Sequence, residues 1–209
     1  MPEKEKNHRR GHRIPASGMM PGMIGFAAPS GTGKTTLLVR LIPLLRERGL
    51  RVALIKHTHH DFDIDTPGKD SHRLRLAGAN PVLVGSRHRW ALMKETPGQE
   101  EPALAELAAR LDRDAPDLIL VEGFGHEPFP KIELHRPSLG KPLLYPEDPT
   151  IIAIAVPGGG EAQHPIPVLD LDRPSGVAQF IGQFIGHCPG VGRAGPPPYP
   201  APWPRSSDA

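Results

Sequence analysis

The chain has 209 residues and a formal net charge of +2, enough for one full-sized domain with its own core. The near-balanced charge points away from a dedicated nucleic-acid or membrane-surface binder, which would carry a one-signed patch. No apolar run approaches membrane-spanning length, and the opening MPEKEKNHRRGHR lacks the hydrophobic segment of a secretory leader. The single cysteine, Cys188, has no partner within the chain for a disulfide, so a reducing, cytoplasmic setting is expected.

In chain order, residues 1–21 are polar and irregular and are expected to form a disordered arm. MIGFAA (23–28) reads as a first strand that runs into a glycine-rich loop. TTLLVRLIPLLRERG follows as an amphipathic helix closed by Gly49, and Pro43 within it predicts a kink or an early break. RVALIKH (51–57) is a second strand, and SHRLRLAGA (71–79) a short helix with apolar residues at 74, 76 and 77. PVLVGS and RWALMKE, joined by a tight turn, predict a β-hairpin. EPALAELAARL (101–111) is helical. DLILVEG (117–123) and IIAIAV (151–156) are continuously apolar strands, VLDL (168–171) an edge strand, and GVAQFIGQFI a last helix. Residues 187–209, rich in proline, are expected to be a disordered tail.

Continuously apolar strands alternating with helices predict an α/β domain over residues 22–186. It would hold a mostly parallel sheet with helices on both faces, plus the added hairpin. Right-handed crossovers then bring four loops to one sheet edge: APSGTGKTT, HTHHDFDID, EGFGHE and PGGGEA.

APSGTGKTT (28–36) has the spacing of a phosphate-binding loop: Ala28, four residues, then Gly33-Lys34-Thr35. The glycines let consecutive backbone N–H groups turn inward around a polyphosphate, at the positive end of a helix. The expected contacts are Ser30, Gly31, Thr32, Gly33, Lys34, Thr35 and Thr36. Lys34 would reach the β- and γ-phosphates, and the Thr35 hydroxyl would ligate Mg²⁺. The expected ligand is therefore a nucleoside triphosphate. Pro29 leaves no early lysine of the kind sent across to a partner's nucleotide. No [NT]KxD sequence occurs, so base identity is not readable from these residues.

Glu122, at the end of the strand DLILVEGF, is the expected second nucleotide acid, holding Mg²⁺ or orienting water. With Lys34 it makes the pair of catalytic candidates. The stretch KHTHHDFDIDTPGKDS (56–71) holds three histidines and four aspartates. Emerging after the second strand, it offers Asp63, Asp65 and Asp70 to the magnesium, its waters or a switch-like loop. For His57, His59 and His60 three readings stay open: a transition-metal site, phosphate or partner contacts, or solvated loop residues. Trp90 in the hairpin reads as interface or core.

Four segments, IGFAAPSGTGKTTLL, LIKHTHHDFDIDTPGKDS, RWALMKETP and DLILVEGF, together resemble the MobB family of molybdopterin-guanine dinucleotide biosynthesis adaptor proteins. The resemblance covers about residues 22–186 and implies a dimeric, GTP-binding P-loop protein with weak GTPase activity. It also implies a molybdopterin guanylyltransferase of the MobA type as partner, with molybdopterin near the site. By position, Gly31 to Thr36 would bind phosphates, Thr35 and Glu122 would lie near Mg²⁺, and the histidine–aspartate segment would lie beside the nucleotide or face the partner. One departure stands out: after IIAIAV the chain reads PGGGEAQHPIP, where the family pattern implies a polar stretch with an aspartate for the base. His126 and Lys131 fit the pattern, Lys131 either approaching a phosphate or pairing near Glu133 at a strand start. The alternatives are a small-molecule kinase, against which no arginine in a lid-like segment is evident, and a metal-delivering GTPase, which rests on HTHH alone.

Overall fold

In the computed structural model, residues 22–58, 62–98, 101–111, 115–160 and 163–187 are described. The proposed N-terminal arm, nearly all of the proline-rich tail, Cys188, His59 and His60 lie outside these residues. Among the described residues, eight strands and four α-helices follow in the order β1 (Gly22–Ala27), α1 (Lys34–Glu47), β2 (Val52–Lys56), α2 (Asp70–Leu76), β3 (Val82–Gly85), β4 (Trp90–Met93), α3 (Leu104–Leu111), β5 (Leu118–Glu122), β6 (Lys131–Leu134), β7 (Ile151–Val156), β8 (Val168–Asp170) and α4 (Pro174–His187). Six strands form one sheet in the order β2-β5-β1-β6-β7-β8, and every pairing in it is parallel. The predicted hairpin is present as a separate antiparallel pair, β3 with β4.

The strand sequences show why the sheet is covered on both faces. Along β5, Leu118 and Leu120 enter one buried cluster with Leu41, Leu45, Val177 and Ile181 of α1 and α4. The alternate residues Ile119 and Val121 enter a second cluster with Leu104 and Ala108 of α3. A period of two with both phases apolar is what a doubly covered parallel strand requires. β8 is the edge strand expected from VLDL.

Three local features refine the expectations. α1 runs unbroken through Pro43 to Glu47. The hydrogen bond that Pro43 cannot donate would have gone to Val39, a residue 66% exposed, so water can serve that carbonyl. α2 forms, but none of its residues is buried, and Leu74 and Leu76 face solvent. Lys131 opens β6, a central strand between β1 and β7. Its ammonium donates to Asp148 Oδ2 at 3.0 Å and Thr150 Oγ1 at 2.7 Å. It registers with Gly25 in mid-strand rather than with the phosphate loop, so the pairing reading holds, with Asp148 as the partner. Glu133, also buried, accepts the amides of Leu144 and Tyr145, each at 2.9 Å. Both buried charges are therefore satisfied, as burial demands.

At the opposite end of the sheet, Asp117 closes the start of β5 against Arg51. Its carboxylate accepts the Arg51 amide and both arms of the guanidinium at 2.7–3.0 Å. Burial pushes the Asp117 pKa up, but these hydrogen bonds outweigh it and hold the carboxyl below the ordinary aspartate value of 3.8. A carboxyl with a lowered folded-state pKa adds stability that is complete above its unfolded pKa and fades as pH falls toward the folded one. Urea unfolding is therefore expected to show wild type losing more stability than Asp117→Asn between about pH 5 and pH 3. Equal losses in the two proteins would refute the account.

Candidate nucleotide site

The four expected loops, together with the one after β6, leave the carboxyl ends of parallel strands and so share one edge. The phosphate-loop candidates form a compact turn there. Gly31 and Gly33 have φ of +79° and +103°, a region closed to most side chains. Thr32 is buried, and its hydroxyl donates to Pro29 O at 2.8 Å, which closes the turn. Gly33 precedes α1, and Leu37 N is the first amide to return to it, at 2.9 Å. The amides of Lys34, Thr35 and Thr36 thus occupy the first turn, where a helix has no carbonyls of its own to offer. Ser30, Gly31, Thr35 and Thr36 are exposed, so amides and hydroxyls open to one side of the loop.

Lys34 folds over this turn and donates to Ala28 O at 2.7 Å and Pro29 O at 3.2 Å. Its pKa is lowered, chiefly by burial and further by the nearby Lys56, with Glu122 acting in the opposite direction. Glu122 ends β5 beside Phe26 of β1 and Lys56 of β2. Its carboxylate is 13% exposed and lies 3.6 Å from the Lys56 ammonium. Lys34 and Glu122 thus lie within electrostatic reach of each other across adjacent strand ends, and Thr35 follows Lys34 in the first turn of α1. A carboxylate, a threonine hydroxyl and an ammonium around a ring of free amides suit a polyphosphate with a hard divalent cation.

The loop after β2 is built differently from the sequence expectation in detail. His57 N donates to Glu122 O at 2.8 Å, and its ring packs on Phe124 at 4.6 Å. Nε2 of His57 pairs with Glu101. This histidine ties the loops after β2 and β5 together just behind Glu122. Asp63 pairs with Arg75 of α2 and accepts the Asp65 amide at 2.8 Å, while Arg75 also reaches Glu95 at 2.6 Å. The hydrogen bond from the Asp65 amide lowers the Asp63 pKa against the opposing effect of desolvation, with Arg75 and His72 lowering it further. Asp65 accepts Thr66 N at 2.9 Å and Ser71 Oγ at 2.8 Å, and its second oxygen is buried without a partner among the described residues. Asp70 is almost fully exposed, with Arg73 at 4.0 Å, and His126 is exposed. Among the described residues no three His, Cys, Asp or Glu side chains cluster as a metal centre.

One residue of the edge was not singled out in the sequence. Arg136, two residues beyond β6, donates from Nε to Thr32 O at 2.9 Å. A Cβ placed on Gly33 would lie 3.7 Å from its Nη2. The signal that would have found it is the buried strand KIEL followed directly by HR. Once β6 is set beside β1, that pair must emerge against the phosphate loop.

Comparison with known proteins fits this geometry. The family model described as "Molybdopterin guanine dinucleotide synthesis protein B" matches residues 23–157. The molybdopterin-guanine dinucleotide biosynthesis adapter protein of Escherichia coli K12 is 50% identical over 170 residues, covering 80% of this chain and 94% of that one. The chain belongs to the MobB family. The Haemophilus influenzae adapter protein of the same name is 44% identical, covering 81% of this MobB chain and 92% of its own. A crystal structure of molybdopterin-guanine biosynthesis protein B superposes with a TM-score of 0.62 at 26% identity. It covers 78% of this MobB chain and 99% of that one. The sheet, the helices on both faces and the appended hairpin are thus a P-loop NTPase-like MobB fold. No helix among the described residues is long and apolar enough to cross a membrane.

Proposed function

We propose that this MobB-family protein binds GTP with Mg²⁺. In that state it acts as an adapter for a guanylyltransferase that joins a guanine nucleotide to molybdopterin. The observation that carries the reading is the juxtaposition of the Gly31–Thr36 turn with Lys34 and Glu122 on neighbouring strand ends. Relatives that share up to half of its residues are named as adapter proteins of this biosynthesis, which supplies the pathway.

In this reading Ser30 through Thr36 bind the phosphates, Lys34 turns from the carbonyls of Ala28 and Pro29 to the phosphate oxygens, and Thr35 and Glu122 hold Mg²⁺. The metal would supply charge neutralisation at the phosphates. Asp63 and Asp65 act on the same nucleotide edge: their hydrogen bonds to Arg75 and Ser71 shape the loop, and the unpartnered oxygen of Asp65 can accept from a metal-bound water. Glu122 already faces the Lys56 ammonium, and in this reading it serves the metal rather than an attacking water, with hydrolysis weak. A homodimer is part of the reading, supported by the exposed hairpin, where Trp90 is 68% and Leu83 65% exposed.

The test is co-purification of the full chain with its guanylyltransferase, with and without Mg²⁺·GTP, alongside a GTP turnover assay. Retention of the enzyme strengthened by GTP, with turnover far below a typical kcat of about 10 s⁻¹, is the expected result. No retention under either condition, or rapid turnover, would refute the adapter reading.

A further inference from the structure

We infer that Arg136 contacts the nucleobase of the bound nucleotide and selects purines presenting two acceptors on their outer edge, and so guanine over adenine. The inference rests on the nucleotide reading above. It starts from the order of the strands around the phosphate loop. β1 lies between β5, which ends in Glu122, and β6, which leads to Arg136. With the metal end of the polyphosphate directed at Glu122, the nucleoside leaves past the start of α1 on the other side. That path crosses the ends of β6 and β7.

Arg136 stands on this path in a fixed pose. Its Nε donates to the carbonyl of Thr32 on the outer side of the loop, and Nη2 lies close to Gly33. Among the described residues no carboxylate pairs with its guanidinium, and it is half-buried. One edge of the fork is therefore anchored, and the remaining N–H groups are available to a ligand. The guanidinium is a donor only. Guanine presents O6 and N7, two acceptors that match such a fork, whereas adenine replaces O6 with an N6–H₂ donor that would face the arginine donors. The first residues after β7, Pro157 to Gly160, are a proline and three glycines, so this part of the loop offers a base only its backbone, and Arg136 is the side chain fixed beside the phosphate loop.

Affinities of the full chain for GTP, ATP and 7-deaza-GTP, measured with Mg²⁺, test the assignment. Wild type should prefer GTP over ATP by on the order of tenfold to a hundredfold, and should bind 7-deaza-GTP, which lacks the N7 acceptor, several-fold more weakly than GTP. Arg136→Ala should weaken GTP to the level of ATP, leave ATP nearly unchanged, and erase the difference between GTP and 7-deaza-GTP. Because Ala also releases the Thr32 carbonyl, Arg136→Lys is the second variant: it keeps the cation, loses the fork, and should lose the guanine preference while retaining ATP binding. Equal weakening of GTP and ATP in both variants would overturn the inference and leave Arg136 as a brace of the phosphate loop. A guanine preference unchanged in both would overturn it equally. Failure of wild type to bind any triphosphate would instead bring down the parent reading, and the inference with it.

Discussion

Lys34→Ala is expected to weaken GTP binding by on the order of a hundredfold, the worth of one or two charged hydrogen bonds, while the melting temperature stays level or rises. The two halves of this result come from the same geometry. In the protein alone, among the described residues, Lys34 donates to the carbonyls of Ala28 and Pro29. Burial lowers its pKa below the ordinary lysine value of 10.5. A base whose folded-state pKa is depressed binds fewer protons folded than unfolded, so at neutral pH its charge opposes folding. Deleting the ammonium removes that cost. With a polyphosphate present, the same half-desolvated ammonium meets strong anionic acceptors, and its loss then falls on binding alone. Titration of both proteins with GTP, paired with thermal unfolding without nucleotide, reads each half separately. Retained affinity would refute the phosphate-loop assignment; a large drop in melting temperature would refute the account of Lys34 as a strained cation.

The phosphate loop was legible in the sequence because its chemistry is local. Eight consecutive residues fix both the turn and the groups that line it, so spacing alone predicts geometry. The same is true of β5 and β7, whose unbroken apolar runs leave only one kind of environment open to them. β6 was harder to read. KIEL carries two charged residues, yet all four residues are buried, because Asp148, Thr150 and the amides of Leu144 and Tyr145 come back from later in the chain to satisfy Lys131 and Glu133. No local pattern announces partners eleven to nineteen residues away. Missing the weight of β6 also hid Arg136, a lone arginine whose meaning depends wholly on which strand it follows.

The histidine–aspartate stretch was less legible for a different reason. Its residue types suggested ligands, but composition does not say which way a side chain is held. His57 faces Phe124 and Glu101, and Asp63 faces Arg75. Through Arg75 and Glu95, the loop after β2 is joined to α2 and the hairpin. That link ties the candidate nucleotide edge by hydrogen bonds to the exposed apolar hairpin.

Gly123→Ala should be the most damaging single-atom addition at this edge, lowering stability by roughly 2–5 kcal/mol, the sum of a left-handed backbone penalty and local overpacking. Gly123 has φ of +102°, so any Cβ is strained there whatever the space. Space is also lacking: the new Cβ would lie 2.5 Å from His57 Cβ and 3.4 Å from His57 Cα. His57 cannot yield easily, since its amide holds Glu122 O, its ring packs on Phe124, and its side chain is only 10% exposed. Relief must come from displacing the backbone of Glu122, so GTP binding should also require more Mg²⁺ in the variant. Thermal unfolding is expected to show a melting temperature lower by roughly 5–15 °C for a chain of this size. His57→Gly in the same chain removes the obstructing Cβ, so the double variant should lose less than the sum of the two single losses. A Gly123→Ala protein as stable as wild type, or strict additivity in the double variant, would show that the close approach of His57 does not hold Glu122 in place.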